Sequence, residues 1–300
     1  WGHLLARYPT SYYAGLAAER LAHEEPVLEP PAADIRPPFP AGITDPHGER
    51  AVLLARLGLP RFARLEVAAL RRAGTAPTLV LDAYRALGAP AAMLRMAREI
   101  DADDPAAPRP DLYPLGYWDA VRPAAETYAL DPFLIVALIR QESLFDPDAV
   151  SPADAHGLMQ LLPGTARELS RARGATPPTT AALHDPAINI GLGTALLARL
   201  RDQHRGSLVK ALAAYNAGDD AVAKWERRYG DRAADEFVEL ISYRETRDYV
   251  KLVLRNLRVY RRLYGRTPAA SPADTSAGSP PNAPFDMMTM TSPERAEPTR

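Results

Sequence analysis

Glu142 stands where a carboxylic acid could act as a proton donor. It follows the apolar run Phe133-Leu-Ile-Val-Ala-Leu-Ile139, and Asp131-Pro132 before that run is a helix start, with Asp as the cap and Pro in the first turn. A helix that is apolar on every face is expected to be buried. Burial and the negative end of the helix dipole both raise the pKa of a carboxyl group, so we expect Glu142 to serve as a general acid. The alternative is that Glu142 forms a structural ion pair with Arg140 or with another arginine at the rim.

The segment after Glu142 brings hydroxyl and amide groups close to the acid. Pro147 and Pro152 prevent the helix from continuing, so this stretch must be an extended or turning loop. Ser151 lies in the loop, Gly157-Leu-Met-Gln160 follows it, and Thr165-Ala-Arg-Glu168 is interpreted as a capping box that starts the next helix. An acid, a hydroxyl and amides in one cluster could hydrogen-bond a polar, uncharged substrate such as a sugar.

Proline-dense segments divide the chain into helical blocks, because proline disrupts the helix interior and restricts the residue before it. The fold class is therefore mainly α. Four short amphipathic helices with tight turns, typical of α-solenoid-like hairpins, are predicted at 48–58, 61–73, 77–87 and 90–101. The predicted domains are a short helix pair at 1–25, a Pro-rich linker at 26–47, a helical linker domain at 48–104, the helical block with Glu142 at 105–265, and a disordered tail at 266–300.

Composition excludes several classes of function. The chain has 300 residues, and 36 Lys and Arg balance 37 Asp and Glu, which argues against a nucleic-acid partner. Without cysteine there can be no disulfide, thiol nucleophile or iron–sulfur cluster. No apolar run approaches the ~20 residues of a membrane-spanning helix, and no leader is visible. We predict no metal and no cofactor, since no two histidines share a helix face at i, i+3 or i+4.

The motifs between Glu142 and Val250 resemble a known family, the soluble lytic murein transglycosylases, whose C-terminal domain has a goose-type lysozyme-like fold. The resemblance implies a lysozyme-like helical catalytic domain at 105–265, preceded by α-solenoid-like hairpins, with 1–25 as the end of a helical superhelix. The matching motifs, in the order of the family, are Glu142-Ser143, Ser151-Pro152, Gly157-Leu-Met-Gln160, Pro163-Gly-Thr-Ala166, Asp185-Pro186, Asn189-Ile190, Leu192-Gly193, Ala214-Tyr-Asn-Ala-Gly218 and Glu245-Thr-Arg-Asp-Tyr-Val250.

The resemblance implies a reaction that needs only one acidic residue. The family cleaves the bond between N-acetylmuramic acid and N-acetylglucosamine without hydrolysis, as the muramoyl C6 hydroxyl attacks C1 and leaves a 1,6-anhydro end. Glu142 would protonate the leaving oxygen and then take the C6 hydroxyl proton. Asp146 and Asp148, the nearest other carboxylates, are better explained as turn and cap residues.

The resemblance also implies substrate-binding roles for six residues besides the catalytic Glu142. For several of them a structural role is an alternative: Ser151 as a turn residue, the Met159 side chain as core, the Tyr215 ring as packing, and Glu245 as a favourable first-turn charge. Tyr215 is expected to end its helix, with Asn216 and Gly218 in the turn beyond, and its hydroxyl to reach the glycan or Glu142. The six are Ser151, Met159, Gln160, Tyr215, Asn216 and Glu245.

The expected partner is therefore the glycan strand of peptidoglycan, in the periplasm where that substrate lies, and the sequence indicates no protein partner. Two alternatives are a hydrolytic lysozyme-type muramidase and a non-catalytic glycan-binding helical module. The chain departs from the family at Asp154 and His156, where small residues are common, at Asp219-Asp220, which replace a usual Pro-Gly, and at Leu196, where Tyr is common.

Overall fold

The computed structural model of the chain describes residues 1–21, 37–100 and 109–265, and the regular secondary structure of these residues is helical. Pairing outside helices in these ranges is confined to isolated bridges at His156. The fourteen α-helices of the described ranges are α1 Gly2–Arg7, α2 Tyr12–Arg20, α3 Pro46–Arg56, α4 Pro60–Arg72, α5 Pro77–Ala86, α6 Pro90–Glu99, α7 Trp118–Thr127, α8 Pro132–Glu142, α9 Pro163–Ala172, α10 Pro186–Gln203, α11 Leu208–Ala217, α12 Asp219–Tyr229, α13 Ala234–Leu240 and α14 Arg244–Tyr264.

Proline sets the start of seven of these helices, α3 to α6 and α8 to α10, because its missing N–H is one that a first turn leaves unused. The helix start predicted at Asp131 is confirmed, and Asp185 caps α10 in the same way, as each carboxylate accepts a hydrogen bond from a first-turn amide. The capping box predicted at Thr165 is wrong. The helix begins two residues earlier, at Pro163, so Thr165 lies inside the first turn.

The four predicted amphipathic helices are confirmed as α3 to α6. Helix α3 packs against α4, and α5 packs against α6, as two antiparallel hairpins. They enclose a small core of their own, centred on Val67, Leu70, Val80, Tyr84 and Met93. Residues 26–36 of the predicted linker at 26–47, and the whole predicted tail at 266–300, lie outside the described residues.

Helix α8 forms the centre of the larger core. Residues 134–139 are all buried, which confirms the prediction from the apolar run. Helices α7 and α14 pack along α8, and the long amphipathic α14 carries its apolar stripe, including Val250, Val253 and Leu257, into the same core. This arrangement places the last residue of α8, Glu142, beside the first turns of α14.

The N-terminal helix pair also contacts α14. The guanidinium of Arg258 donates to the carbonyl oxygen of Pro9 at 3.0 Å, and Lys251 Nζ donates to the Tyr13 hydroxyl at 2.9 Å. Helix α14 therefore joins α2 on one face and α8 on another. Among the described helices, none has both the length and the hydrophobicity needed to span a bilayer.

Candidate active site

Glu142 is the acid of the candidate site, and its pKa is strongly shifted. Burial raises the pKa of its carboxyl group from 4.5 to about 7, the hydrogen bond from Tyr249 opposes this rise, and the negative charge of Glu245 adds to it. The predicted direction is therefore confirmed. A carboxyl group with this pKa is part protonated and part ionised at neutral pH, so it can both donate and accept a proton.

Tyr249 is the direct partner of Glu142. Its hydroxyl donates to Glu142 Oε1 at 2.6 Å, and both burial and the Glu142 charge raise the pKa of this phenol well above 10. Tyr249 therefore remains a hydrogen-bond donor at neutral pH. It lies four residues after Glu245 on α14, so both side chains act on Glu142 from one helix face. Tyr249 lies within the Glu245–Val250 motif, but the sequence alone indicates no role for it.

Tyr215 lies near the same acid but holds a different group. Its hydroxyl donates to the Met159 carbonyl oxygen at 2.8 Å. Burial, with the Glu142 charge as a further cause, raises the pKa of Tyr215 well above 10. The alternative in which the Tyr215 hydroxyl contacts Glu142 is not what the structure shows, because Tyr249 occupies that position. Tyr215 instead fixes the Met159 backbone beside the acid.

The Gly157–Gln160 stretch is held by the buried amide of Asn189. The Met159 backbone N–H donates to Asn189 Oδ1 at 2.7 Å, while Asn189 Nδ2 donates to the carbonyl oxygens of His156 at 2.9 Å and Leu183 at 2.8 Å. All the hydrogen-bonding groups of this amide are thus used to join three segments. The sequence motif contained Asn189, but nothing in its spacing indicated this role.

Met159 and Gln160 differ in what they can present to a substrate. The Met159 side chain is fully buried against Gly193, so it is core, and only its backbone can line the cleft. Gln160 has a left-handed backbone with φ of 48°, and its Nε2 donates to the carbonyl oxygens of Gly157 and Ala149. The side-chain amide of Gln160 thus stabilises the loop through two hydrogen bonds to its backbone.

Ser151 acts as a turn residue in the structure. Its Oγ accepts hydrogen bonds from the backbone N–H groups of Ala153 at 3.2 Å and Ala155 at 3.0 Å. Neither bond uses the hydroxyl proton of Ser151. That proton can be donated to a ligand, so the structural role and the predicted binding role are compatible.

Asn216 and Glu245 lie at facing helix ends. Asn216 belongs to the last turn of α11, which runs to Ala217. The prediction that Tyr215 ends the helix is therefore wrong by two residues. Gly218, with φ of 83°, makes the turn that follows. Asn216 Oδ1 accepts from Thr246 Oγ1 at 2.7 Å. Glu245 is exposed in the first turn of α14.

The chain turns abruptly after Glu142 through a strained backbone. Leu144 and Phe145 have φ of 50° and 66°, a left-handed conformation that costs roughly 1 kcal/mol for each non-glycine residue. Burial of the Phe145 ring and the hydrogen bond from Ser143 Oγ to the Leu158 carbonyl oxygen, at 2.9 Å, hold this turn. The same bond ties the acid-bearing end of α8 to the Gly157–Gln160 stretch.

Arg140 does not form the ion pair considered as an alternative for Glu142. Its guanidinium is buried, donates to the Leu112 carbonyl oxygen at 3.0 Å and to Asn256 Oδ1 at 3.3 Å, and lies 4.4 Å from the centre of the Tyr113 ring. The hydrogen-bond partner of Glu142 is therefore Tyr249 and not Arg140. Within the described ranges, no group of three or more His, Asp or Glu side chains is arranged to hold a metal ion.

Comparison with known proteins finds similarity to a known family of domains. Residues 119–238 match the family model of the transglycosylase SLT domain. This segment, less than half of the chain, is therefore similar to an SLT domain. It is 36% identical over 160 residues to the soluble lytic murein transglycosylase of Escherichia coli K12, covering 52% of this chain and 24% of that protein. It is 38% identical over 126 residues to membrane-bound lytic murein transglycosylase C of Sodalis glossinidius, covering 39% of this chain and 35% of that protein.

Solved structures of SLT proteins share the fold. The 70 kDa soluble lytic transglycosylase SLT70 of Escherichia coli aligns with a TM-score of 0.67 and 27% identity, covering 84% of this chain and 40% of that one. An inactive Glu-to-Gln mutant of lytic transglycosylase Slt from Pseudomonas aeruginosa aligns with a TM-score of 0.62 and 30% identity, covering 84% of this chain and 41% of that one. The predicted mainly α, lysozyme-like fold with preceding helical hairpins is confirmed. The chain spans about a quarter of the E. coli K12 relative and less than half of each aligned structure.

Proposed function

We propose that this chain is a lytic transglycosylase of the SLT family, which cleaves the β-1,4 bond between N-acetylmuramic acid and N-acetylglucosamine in peptidoglycan and forms a 1,6-anhydromuramoyl end. The observation that carries the proposal is Glu142, a single carboxyl group with a pKa of about 7 that is bound by Tyr249. Relatives named as lytic murein transglycosylases support the reaction class.

In the first step, Glu142 gives its proton to the glycosidic oxygen as the bond from that oxygen to muramoyl C1 breaks. Because burial raises the pKa of Glu142, a substantial fraction of this carboxyl group is protonated and can donate near neutral pH. The carbonyl oxygen of the substrate's own N-acetyl group can stabilise the positive charge that develops at C1. The Tyr249 hydroxyl stabilises the carboxylate that remains.

In the second step, the Glu142 carboxylate takes the proton of the muramoyl C6 hydroxyl while O6 forms a bond to C1. Both groups belong to the same sugar, so the nucleophile has a much higher effective concentration than free water. The acid returns to its protonated form, and no water is consumed. A second carboxylate is unnecessary, which fits the turn role of Asp146, whose Oδ1 accepts from the Asp148 N–H.

The substrate loop, which we define as residues 146–161, would hold the glycan beside Glu142. Ser151 has a hydroxyl proton to donate to the N-acetyl group, and the Met159 backbone, Gln160 and Asn216 would contribute further polar contacts. Glu245 acts on the acid through its charge. The partner is thus a peptidoglycan glycan strand, and a periplasmic location is part of the proposal because the substrate lies there.

The experiment that tests the proposal is mass analysis of products from purified peptidoglycan sacculi. Wild type is expected to give anhydromuramoyl ends, Glu142→Gln to give no products while still binding sacculi, and Glu168→Gln, an exposed control on α9, to act like wild type. Products that have gained one water would favour the lysozyme-type hydrolase. Binding without any product from wild type would favour the glycan-binding module, and full activity of Glu142→Gln would remove Glu142 from the mechanism.

A further inference from the structure

Three ionisable side chains next to the candidate site form a continuous hydrogen-bonded chain. His156 Nε2 lies 2.8 Å from Asp154 Oδ1, and His156 Nδ1 lies 3.2 Å from His184 Nε2. His184 Nδ1 in turn lies 2.9 Å from the carbonyl oxygen of Pro147. His156 is buried, whereas Asp154 is mostly exposed. We call His156 and His184 the imidazole pair.

Both ends of this chain are hydrogen-bond acceptors. The Asp154 carboxylate and the Pro147 carbonyl can only accept, so His156 Nε2 and His184 Nδ1 must each carry a proton. The contact between the two rings needs a third proton. Two neutral imidazoles carry only two ring protons in total. The three hydrogen bonds can therefore exist together only when the pair holds three protons and one positive charge.

Besides the imidazole pair, the ionisable groups of the two segments that meet there are all acidic. The sequence contains no Lys or Arg in 146–161 or in 181–189, the two segments that meet at the pair. Helix α10 adds the neutral amide of Asn189, which binds the His156 carbonyl oxygen. An extra proton next to carboxylates is electrostatically stabilised. The ionisable groups of these segments, besides the pair itself, are Asp146, Asp148, Asp154 and Asp185.

His156 is the central residue of the substrate loop. It forms antiparallel bridges with both Val150 and Leu161, and its backbone N–H donates to the Leu161 carbonyl oxygen at 2.9 Å. Ser151 follows one bridge partner and Gln160 precedes the other. Contacts that hold the His156 ring against the Ala181–His184 turn therefore also hold Ser151 and Gln160 in position.

We propose that Asp154, His156 and His184 are positioning residues that hold the substrate loop in place through one shared proton, so that loop order and activity both decline when the proton is lost at higher pH. Loss of the proton leaves two lone pairs facing each other at one of the three contacts. The consequence for activity depends on the proposed function, whereas the proton count and its effect on the loop do not.

The proton count can be measured by nitrogen-15 NMR of the histidine rings in the full chain. At about pH 6 we expect three ring protons on the imidazole pair, and on raising the pH a single coupled step that removes one of them. His184→Asn should change the titration of His156, whereas His47→Gln, on α3, should not. Two ring protons throughout, or a His156 titration that ignores His184→Asn, would overturn the proposal.

A variant with an intact ring pair tests the positioning role. Asp154 is exposed and has φ of 61°, a conformation that Asn adopts readily, so Asp154→Asn should fold normally. Because a carboxylate stabilises a neighbouring imidazolium, this change should lower the pH at which the pair loses its proton. The pH at which activity declines should move down with it. The Ser151 amide, which donates to the Ala155 carbonyl oxygen, should lose roughly tenfold of its hydrogen-exchange protection once the proton is gone.

Asp148→Asn, an exposed change on the same loop but outside the hydrogen-bonded chain, is the matched control and should change the ring titration and the exchange much less than Asp154→Asn does. If Asp154→Asn moves neither the ring titration nor the loop exchange, the positioning role is wrong. If both respond as expected while wild type makes no anhydro products, the shared proton stands and the proposed function fails.

Discussion

Tyr249 opposes part of the rise in the pKa of Glu142, so its removal has a predictable sign. The phenol donates to the ionised carboxylate and thereby lowers its pKa, against the larger effect of burial. In Tyr249→Phe the pKa of Glu142 should rise above about 7. The limb of the pH–rate profile on which the acid loses its proton should therefore move to higher pH. The rate should fall roughly tenfold, since one hydrogen bond to the carboxylate is lost. The measurement is the rate of anhydro-product release as a function of pH.

Tyr243→Phe is the control for this change, because Tyr243 is exposed just before α14 and packs edge-on against Trp225. It should leave the pH profile in place. A shift of the Tyr249→Phe profile to lower pH would mean that the phenol stabilises the protonated acid instead.

Residue-level chemistry was predictable where it depended on local sequence and not where it depended on packing. Burial of Glu142 followed from the apolar run before it, and the turn role of Ser151 followed from Pro152. The contact of Glu142 with Tyr249 joins residues 107 positions apart, and that between His156 and His184 joins residues 28 apart. Such contacts depend on how helices and loops pack, which no local spacing encodes.

At the level of elements, the substrate loop depends on a glycine that no other residue can replace. Gly157 has φ of 76°, and a Cβ there would lie 2.2 Å from the Leu183 carbonyl oxygen and 2.4 Å from Asn189 Nδ2. Gly157→Ala should therefore push the loop off the amide that holds it. We expect a loss of about 2 kcal/mol or more in unfolding free energy, and at least tenfold in product release, with helical circular dichroism retained. Urea unfolding and the sacculus assay measure the two effects.

Gly164→Ala is a matched control for that change. Gly164 lies in the first turn of α9, and a Cβ there would meet nothing within 4 Å. This variant should be neutral or slightly more stable, as alanine is the better helix former. Equal effects of the two substitutions would show that the loop can shift to accept a side chain at 157.

Helix starts were the elements that the sequence predicted best, because capping is local chemistry. Asp131 and Asp185 each precede a proline and each cap the helix that follows. At Thr165 the capping-box prediction is wrong, since Pro163 upstream already begins the helix and Leu162, which has no capping side chain, takes the cap position. The end of α11 was misplaced because Gly218, rather than Asn216, makes the left-handed turn.

At the scale of the whole molecule, protonation of Glu142 affects both the proposed acid catalysis and the free energy of unfolding. The folded chain raises the pKa of this group from 4.5 to about 7, so between these values the native state binds more protons than the unfolded state. The contribution of protonated Glu142 to the free energy of unfolding is fully present below pH 4.5 and is lost as the pH rises through about 7. Glu142→Gln removes the ionisable group and keeps an oxygen that can accept from Tyr249. This variant should therefore be more stable than wild type by about 1 to 3 kcal/mol at about pH 8.

The stability difference should depend on pH in a specific way. At about pH 4 the carboxyl group is mostly protonated in both states, so wild type and Glu142→Gln should unfold with nearly equal free energy. Glu168→Gln, on an exposed face, should show no such divergence. Urea unfolding of the three proteins across this pH range measures the effect. If the difference in unfolding free energy between wild type and Glu142→Gln stays constant with pH, the folded chain alone does not raise the pKa of this carboxyl group. The pKa would then rise only when bound substrate excludes water.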